Sequence, residues 1–328
     1  MKAARLWIVL AGVILVGSSL GATAARADGL PVLGVDVGAT GVATPSGQAR
    51  YVTIQAGADT VVARVDAQGG RIGASLLLPG TFTIPAVAYD GSASGLSGDG
   101  HTLVLIEPRA SFPRAETRLA VLQTRPLLWR TTITLPGDFS FDAVSPDGSS
   151  LYLIQYTSAL DPTKYKVRVY DLDSSRLIKA PIVDPHERGE KMRGQPLTRA
   201  ASSDGRWAYT LYDGAGKTPF VHALDTSNRK ARCIDLDALS GTDLTRLGLK
   251  LDARHGLLSV TRGARPALNV DLASFQVRPP STSTSGFPLL LASVLALGVL
   301  VIAAVLPSRI RFGRRASGSG SSSPHRAA

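Results

Sequence analysis

Ser145-Pro146-Asp147-Gly148, followed by the run Ser-Ser-Leu-Tyr-Leu-Ile-Gln-Tyr156, is the stretch that decides the fold. Asp suits such a turn because its carboxylate accepts from its own nearby backbone. Gly suits it because it takes positive φ without steric cost. The apolar, β-branched and aromatic run after the turn reads as a strand. The same pairing recurs along the chain. Ser97-Gly-Asp99-Gly100 precedes His-Thr-Leu-Val-Leu-Ile-Glu, and Ser202-Ser-Asp204-Gly205 precedes Arg-Trp-Ala-Tyr-Thr-Leu-Tyr. Pro45-Ser46-Gly47 and Asp252-Ala-Arg254 are weaker copies. Asp99, Asp147, Asp204 and Asp252 lie 48, 57 and 48 residues apart, with Ser46 a further 53 before Asp99. A second turn begins at Asp66, Asp171, Asp225 and Asp271, and near Gln123-Thr124 in the second unit.

Each unit therefore reads strand, Asp-Gly turn, strand, loop, strand, Asp-containing turn, strand. Helix signals are scarce: the chain has four Glu against 21 Asp, and no long 3.6-residue apolar period. One four-stranded unit cannot cover both its faces, and radial stacking of such units does. The Ser-Pro-Asp-Gly-x-x-Leu-Tyr pattern and its relatives resemble WD-like and YVTN-type bacterial β-propeller repeats. That resemblance implies an all-β propeller of about five four-stranded blades. It implies little about function, since the fold serves enzymes, scaffolds and binders alike. Gly-His occurs once as a blade signature, at Gly100-His101, and Trp-Asp never. Blades are expected near 30–85, 86–138, 139–195, 196–241 and 242–278, with Leu30–Val37 as a strand closing the ring. A β-sandwich or an open array of hairpins is the alternative.

The 328-residue chain carries 36 Lys plus Arg against 25 Asp plus Glu, a net charge of +11. Such a balance ordinarily raises nucleic acid or an anionic membrane as partner. Its distribution points to the membrane. Lys2, Arg5 and Arg26 start the chain, and Arg309, Arg311, Arg314, Arg315 and Arg326 end it, with no acid in either flank. Those eight account for most of the surplus, and no nucleic-acid partner is expected. Residues 1–27 read as a secretory signal: a basic start, the uncharged run Leu6 to Leu20, and Ala25-Arg-Ala27 before a cleavage ahead of Asp28. Ala22-Thr-Ala24 is a second candidate cleavage site. Residues 287–306, FPLLLASVLALGVLVIAAVL, hold no charge and match the roughly 20 residues of a transmembrane helix. Arg309, Arg311, Arg314 and Arg315 behind it place the tail, 307–328, in the cytoplasm. Residues 28–278 are then extracytoplasmic, joined to the lipid bilayer by a Pro/Ser/Thr stalk at 279–286.

Candidate sites are few. The densest polar stretch joins the third and fourth units and holds Asp184, His186, Glu187, Arg188, Glu190, Lys191 and Arg193. It and the insert carrying Arg109, Arg114 and Arg118 are expected as partner-binding loops. Gly214-Ala-Gly-Lys-Thr218 lacks the first Gly of a phosphate loop and lies between strands, so it reads as a hairpin loop. Gly17-x-Ser19-x-Gly21 falls inside the export signal and is no nucleophile elbow. No two of the five His lie within four residues of each other, so no local metal pair exists, and no catalytic, cofactor or metal residue is assigned. Cys233, the single cysteine, is expected to pack in an outer strand.

The expectation is a single-pass, type I bacterial membrane protein. Its propeller acts as a binding or scaffold module for a protein or cell-envelope ligand. The alternatives are an exported propeller enzyme, hydrolase or lactonase-like, and a surface receptor with a cytoplasmic partner.

Overall fold

The repeated turns fold alike, atom for atom. In a computed structural model of the chain, which describes residues 41–187 and 192–280, Ser145 Oγ donates to Asp147 Oδ1 at 2.6 Å and accepts from Ser150 N at 2.9 Å. Asp147 Oδ1 also takes the amide of Ser149 at 3.0 Å. Ser97 and Asp99 repeat this set with His101 and Thr102. Ser202 and Asp204 repeat it with Arg206 and Trp207. In the first unit Thr44 stands for the first Ser and Ser46 for the Asp, and the same bonds are longer, at 3.2–3.4 Å. Each turn thus satisfies amides that tight reversal would otherwise strand.

Five antiparallel sheets follow in chain order. The first holds β1 (Val42–Ala43), β2 (Ala49–Ala56), β3 (Asp59–Asp66) and β4 (Ile72–Leu78). The second holds β5 (Thr102–Ile106), β6 (Glu116–Thr124) and β7 (Leu127–Pro136). The third comprises β8 (Phe139–Val144), β9 (Ser150–Tyr156), β10 (Tyr165–Asp171) and β11 (Arg176–Leu177). The fourth comprises β12 (Pro196–Ala201), β13 (Trp207–Tyr212), β14 (Phe220–Asp225) and β15 (Lys230–Asp235). The fifth comprises β16 (Leu247–Asp252), β17 (Leu257–Arg262), β18 (Arg265–Asp271) and β19 (Gln276–Arg278).

The sheets stack face on face, and four apolar clusters join them in order. Tyr51, Val62 and Leu78 meet Leu103, Leu105 and Leu122. Leu119, Val121 and Ile133 meet Phe139, Phe141 and Leu153. Ile154, Val167 and Val169 meet Tyr212, Phe220 and Leu224. Leu211, Val221 and Ile234 meet Leu258, Val260 and Val270. Strands covered on both faces lose the polar alternation: every residue of β5, β8 and β14 is buried. This is the blade order and packing of a β-propeller. On the first sheet, the face turned from the second exposes Ile54, Ile72 and Leu77.

The second sheet departs from the expected four strands. Its inner position is held by residues 82–97, tied to β5 only through single bridges, Thr83 to Ile106 and Leu96 to Leu103. Pro85 lacks a donor, and the segment doubles back on itself through Ala86 and Ala93. Its tip reaches the fourth sheet, where Tyr89 N donates to Pro196 O at 3.0 Å and Asp90 N to Leu197 O at 3.1 Å. The ring-closing segment Leu30–Val37, the signal, the span at 287–306 and the tail lie outside the described residues. Among the described residues no helix is long and apolar enough to cross a membrane.

The Asp-Gly turns also touch one another. Asp99 N donates to Pro146 O at 2.9 Å, and a Cβ on Gly98 would lie 1.9 Å from the carbonyl oxygen of Asp204. Gly98→Ala must push two sheets apart at that point and is expected to cost about 1–3 kcal/mol, read from urea unfolding midpoints. The serine hydroxyls lower the pKa of Asp147 and Asp204 from the ordinary Asp value. Folded-state pKa values below the unfolded value give stability that is present above pH ~4 and lost as pH falls further. Asp147→Asn removes one such titration, so unfolding series at pH 5 and pH 3 should differ less in the variant than in the wild type.

Candidate functional site

The β13–β14 hairpin loop and the chain that enters β12 meet at the end of the sheets opposite the Asp-Gly turns. Asp213 joins them. Its Oδ1 accepts from Gln195 N at 2.8 Å and from Ala215 N at 2.9 Å, while its own amide donates to Gln195 O. Gly194 sits against it at positive φ, where a Cβ would meet Asp213 Oδ1 at 2.4 Å. The Gly-Ala-Gly-Lys-Thr segment is thus a clamped hairpin loop with a short turn at Gly214–Gly216.

Below this clamp a crevice of about 130 Å³ opens between the outer parts of the third and fourth sheets. Ile182, which bridges Val167 of β10, forms one wall with Met192. Phe220, His222 and Cys233 form the other, and Arg193, Lys217 and Thr218 line the crevice as well. Strand alternation explains the second wall. Val221 and Ile234 pack toward the fifth sheet, so Phe220, His222 and Cys233 face the third. His222 and Cys233 are directly opposed across β14 and β15.

Asp184 enters this crevice from the third sheet. Its Oδ1 accepts from the amide of His186 at 2.8 Å and lies 2.9 Å from the His186 ring. Its Oδ2 accepts from Cys233 N at 2.8 Å, with Arg232 Nε at 3.6 Å. These bonds hold its pKa low against the opposing effect of burial. The contact also covers an amide on the outermost strand of the fourth sheet. Donor atoms of Asp184, Glu187 and Cys233 all lie within 4.8 Å of one another. His222 is buried, and that burial lowers its pKa to about 4, so the ring is neutral at pH 7.

The expected partner loops fare differently. Of the 184–193 stretch, His186 is exposed, Asp184 is buried inside the fold, and Arg193 bridges Lys164. Arg188, Glu190 and Lys191 lie outside the described residues. The 108–118 insert is, as expected, the connection between β5 and β6, with its last three residues in β6, but Arg109 and Arg114 point inward. Arg109 is 5% exposed and forms two bonds to Asp138 Oδ1, at 3.0 and 2.5 Å, beneath the Tyr156 ring. Arg114 gives its amide to Asp138 Oδ2 at 3.0 Å and its guanidinium to the carbonyls of Glu107 and Phe139. Burial and the neighbouring Arg109 lower the Arg114 pKa to about 10. Only Arg118 of the three is partly open, over Phe82 and beside Glu107. The insert therefore locks the second sheet to the third, a role its charge does not disclose.

A second cavity, of about 390 Å³, lies at the inner edges of the sheets. Ser, Ala and Gly line most of it, with Arg199, whose guanidinium is paired with Asp142.

No protein-family model matches the chain, and no curated protein does. Solved structures similar to it include TolB from Acinetobacter baumannii, at 13% identity and a TM-score of 0.38, covering 74% of this chain and 54% of that one. A putative TolB from Agrobacterium tumefaciens is 14% identical with a TM-score of 0.40, covering 74% and 80%. The β-propeller domain of Cps50 (Swd1) from Myceliophteria thermophila is 9% identical with a TM-score of 0.42, covering 76% and 67%. The chain thus spans about half the length of the first of these. The likeness is one of fold.

Arg109→Ala would strip the buried Asp138 of its closest cation and leave it only Arg114, through the amide at 3.0 Å and the guanidinium at 3.5 Å. Such losses run to about 3–5 kcal/mol. Guanidinium denaturation of the variant should show a loss of that size, whereas a truly exposed contact arginine would lose under about 0.5 kcal/mol.

Proposed function

We propose that the chain is a membrane-tethered, extracytoplasmic β-propeller acting as a binding or scaffold module at a bacterial cell surface. The observation that carries the binding role is the crevice between the third and fourth sheets. It combines the apolar walls of Ile182, Met192 and Phe220 with the charged groups of Asp184, Arg193 and Lys217. Apolar walls with a few placed polar groups are what a recognition site needs. The β13–β14 loop and the connection into β12, both at this end, rest on rigid sheets, which is how propellers and similar scaffolds present contact surfaces. The tether rests on the sequence: the export signal at 1–27, the apolar run at 287–306 and the arginines behind it.

The axial cavity supports the same choice over a channel-centred enzyme. Its lining is dominated by small residues, and its arginine is already ion-paired. The second sheet's inner segment, bonded to the edge of β12, occupies space near the axis that a channel substrate would need.

A photo-crosslinking residue at Lys217 should give a discrete adduct in living cells, and one at Ser174, exposed at the opposite end, should not. Equal adducts from both, or none from Lys217, would reject the crevice as the contact site. Protease added to cells freed of any outer barrier should degrade residues 28–286 and spare an epitope on the tail. A degraded tail with a protected propeller would reject the topology.

A further inference from the structure

We infer that Cys233, Asp184, Glu187 and His222 form a binding site for a divalent transition cation of the zinc class. The ligands come from two sheets. Asp184 and Glu187 follow the third sheet, while His222 and Cys233 face each other on β14 and β15. Donor atoms of Asp184, Glu187 and Cys233 lie within 4.8 Å of one another. The His222 Nδ1 lies 3.9 Å from Cys233 Sγ. Tetrahedral zinc, with metal–sulfur bonds near 2.3 Å and metal–oxygen or metal–nitrogen bonds near 2.0–2.2 Å, sets its ligand atoms about 3.3–3.6 Å apart. Asp184, Glu187 and Cys233 need to close by at most about 1.5 Å to reach that spacing, and His222 reaches the group through the sulfur.

A second observation points to a missing ligand. His222 is 2% exposed and lines the same crevice, yet its Nε2 has no hydrogen-bond partner. A buried imidazole ordinarily has both nitrogens engaged, because an unsatisfied one costs about 1–3 kcal/mol. A ring whose one nitrogen is orphaned, and whose other faces a sulfur at 3.9 Å, has donor capacity that the protein alone does not use.

The donor set selects the metal. Magnesium and calcium take oxygen ligands, whereas a thiolate with an imidazole and carboxylates suits zinc. Two carboxylates beside the sulfur create a field that favours a cation. Arg232, Arg193 and Lys217 stand around the cluster and balance the anionic charge that three such ligands would leave on a zinc centre. Asp184 is already oriented by the amides of His186 and Cys233, the kind of support that fixes ligating carboxylates. Because the donors come from both sheets, the cation acts as a clamp between the third and fourth sheets. This inference does not depend on the topology or the binding role proposed above.

The full chain, purified in detergent and stripped with chelator, tests it. Zinc should bind at one equivalent by elemental analysis and raise the melting temperature. Cobalt(II) should give a sulfur-to-metal charge-transfer band. Zinc should also slow the reaction of Cys233, the sole thiol, with a thiol reagent. Cys233→Ser should lose the cobalt band, and both it and His222→Gln should weaken zinc binding by at least about 10-fold, the lower bound even for supporting residues. Absence of zinc binding by the wild type would overturn the inference. So would equal binding by Cys233→Ser with no cobalt–sulfur band in the wild type. If a variant fails to fold by circular dichroism, the wild-type cobalt band and thiol protection decide alone.

Discussion

A serine hydroxyl and an aspartate carboxylate two residues apart hold this architecture in register. In each full copy of the turn the hydroxyl donates to the carboxylate and accepts the amide that opens the next strand. The carboxylate takes a second amide. The first two strands of a sheet are therefore aligned by side-chain bonds within the turn as well as by their own ladder. Register matters here more than in an exposed sheet. Both faces are covered, so a slip by one residue would turn every apolar side chain toward the wrong neighbour. The second turn of every unit but the second adds a backbone constraint. Ser175, Arg229 and Phe275 all sit at positive φ, four residues after Asp171, Asp225 and Asp271, and Gly70 holds the matching position after Asp66.

Between the sheets the cohesion is chiefly apolar, but at two places an ion pair with both partners buried takes its place. Arg109 with Asp138 joins the second sheet to the third, and Arg199 with Asp142 joins the third to the fourth. Both pairs are buried. Pairs of this kind add little net stability over apolar packing of equal volume, but they tolerate no loss of either partner. The third sheet is thus held on both sides by contacts that are specific as well as cohesive.

Much of the fold was legible in the residues, and the physical reason is local. A turn such as Ser-Pro-Asp-Gly writes its own hydrogen bonds within five residues, so the sheet order and the units at 139–195 and 196–241 follow from it. The first strand of the second sheet was not legible. Residues 82–97 lack an alternating pattern because Pro85, Gly91 and Gly95 shape them to reach a distant sheet instead of pairing evenly. The two proposed contact loops shared a different difficulty. Arg109 and Asp184 look like surface charges, and only their partners Asp138 and the amide of Cys233, 29 and 49 residues away, show them to be interior. The cluster around Cys233 was hidden for the same reason. His222 and Cys233 are 11 residues apart in sequence and adjacent only because β14 and β15 pair.

The reach of residues 85–95 to β12 has a consequence for how the chain assembles. The Tyr89 hydroxyl bonds the Gln195 side chain 106 positions later, at 2.6 Å. The third sheet is threaded between these two partners. An early-made segment therefore waits for the fourth sheet before its backbone amides are satisfied, and the first two sheets cannot reach their final state alone. Contacts of such long sequence separation slow folding, because loop closure must precede any reward. Assembly in chain order would leave the axis open and hydrated until late, and its completion would coincide with the arrival of Pro196 and Leu197.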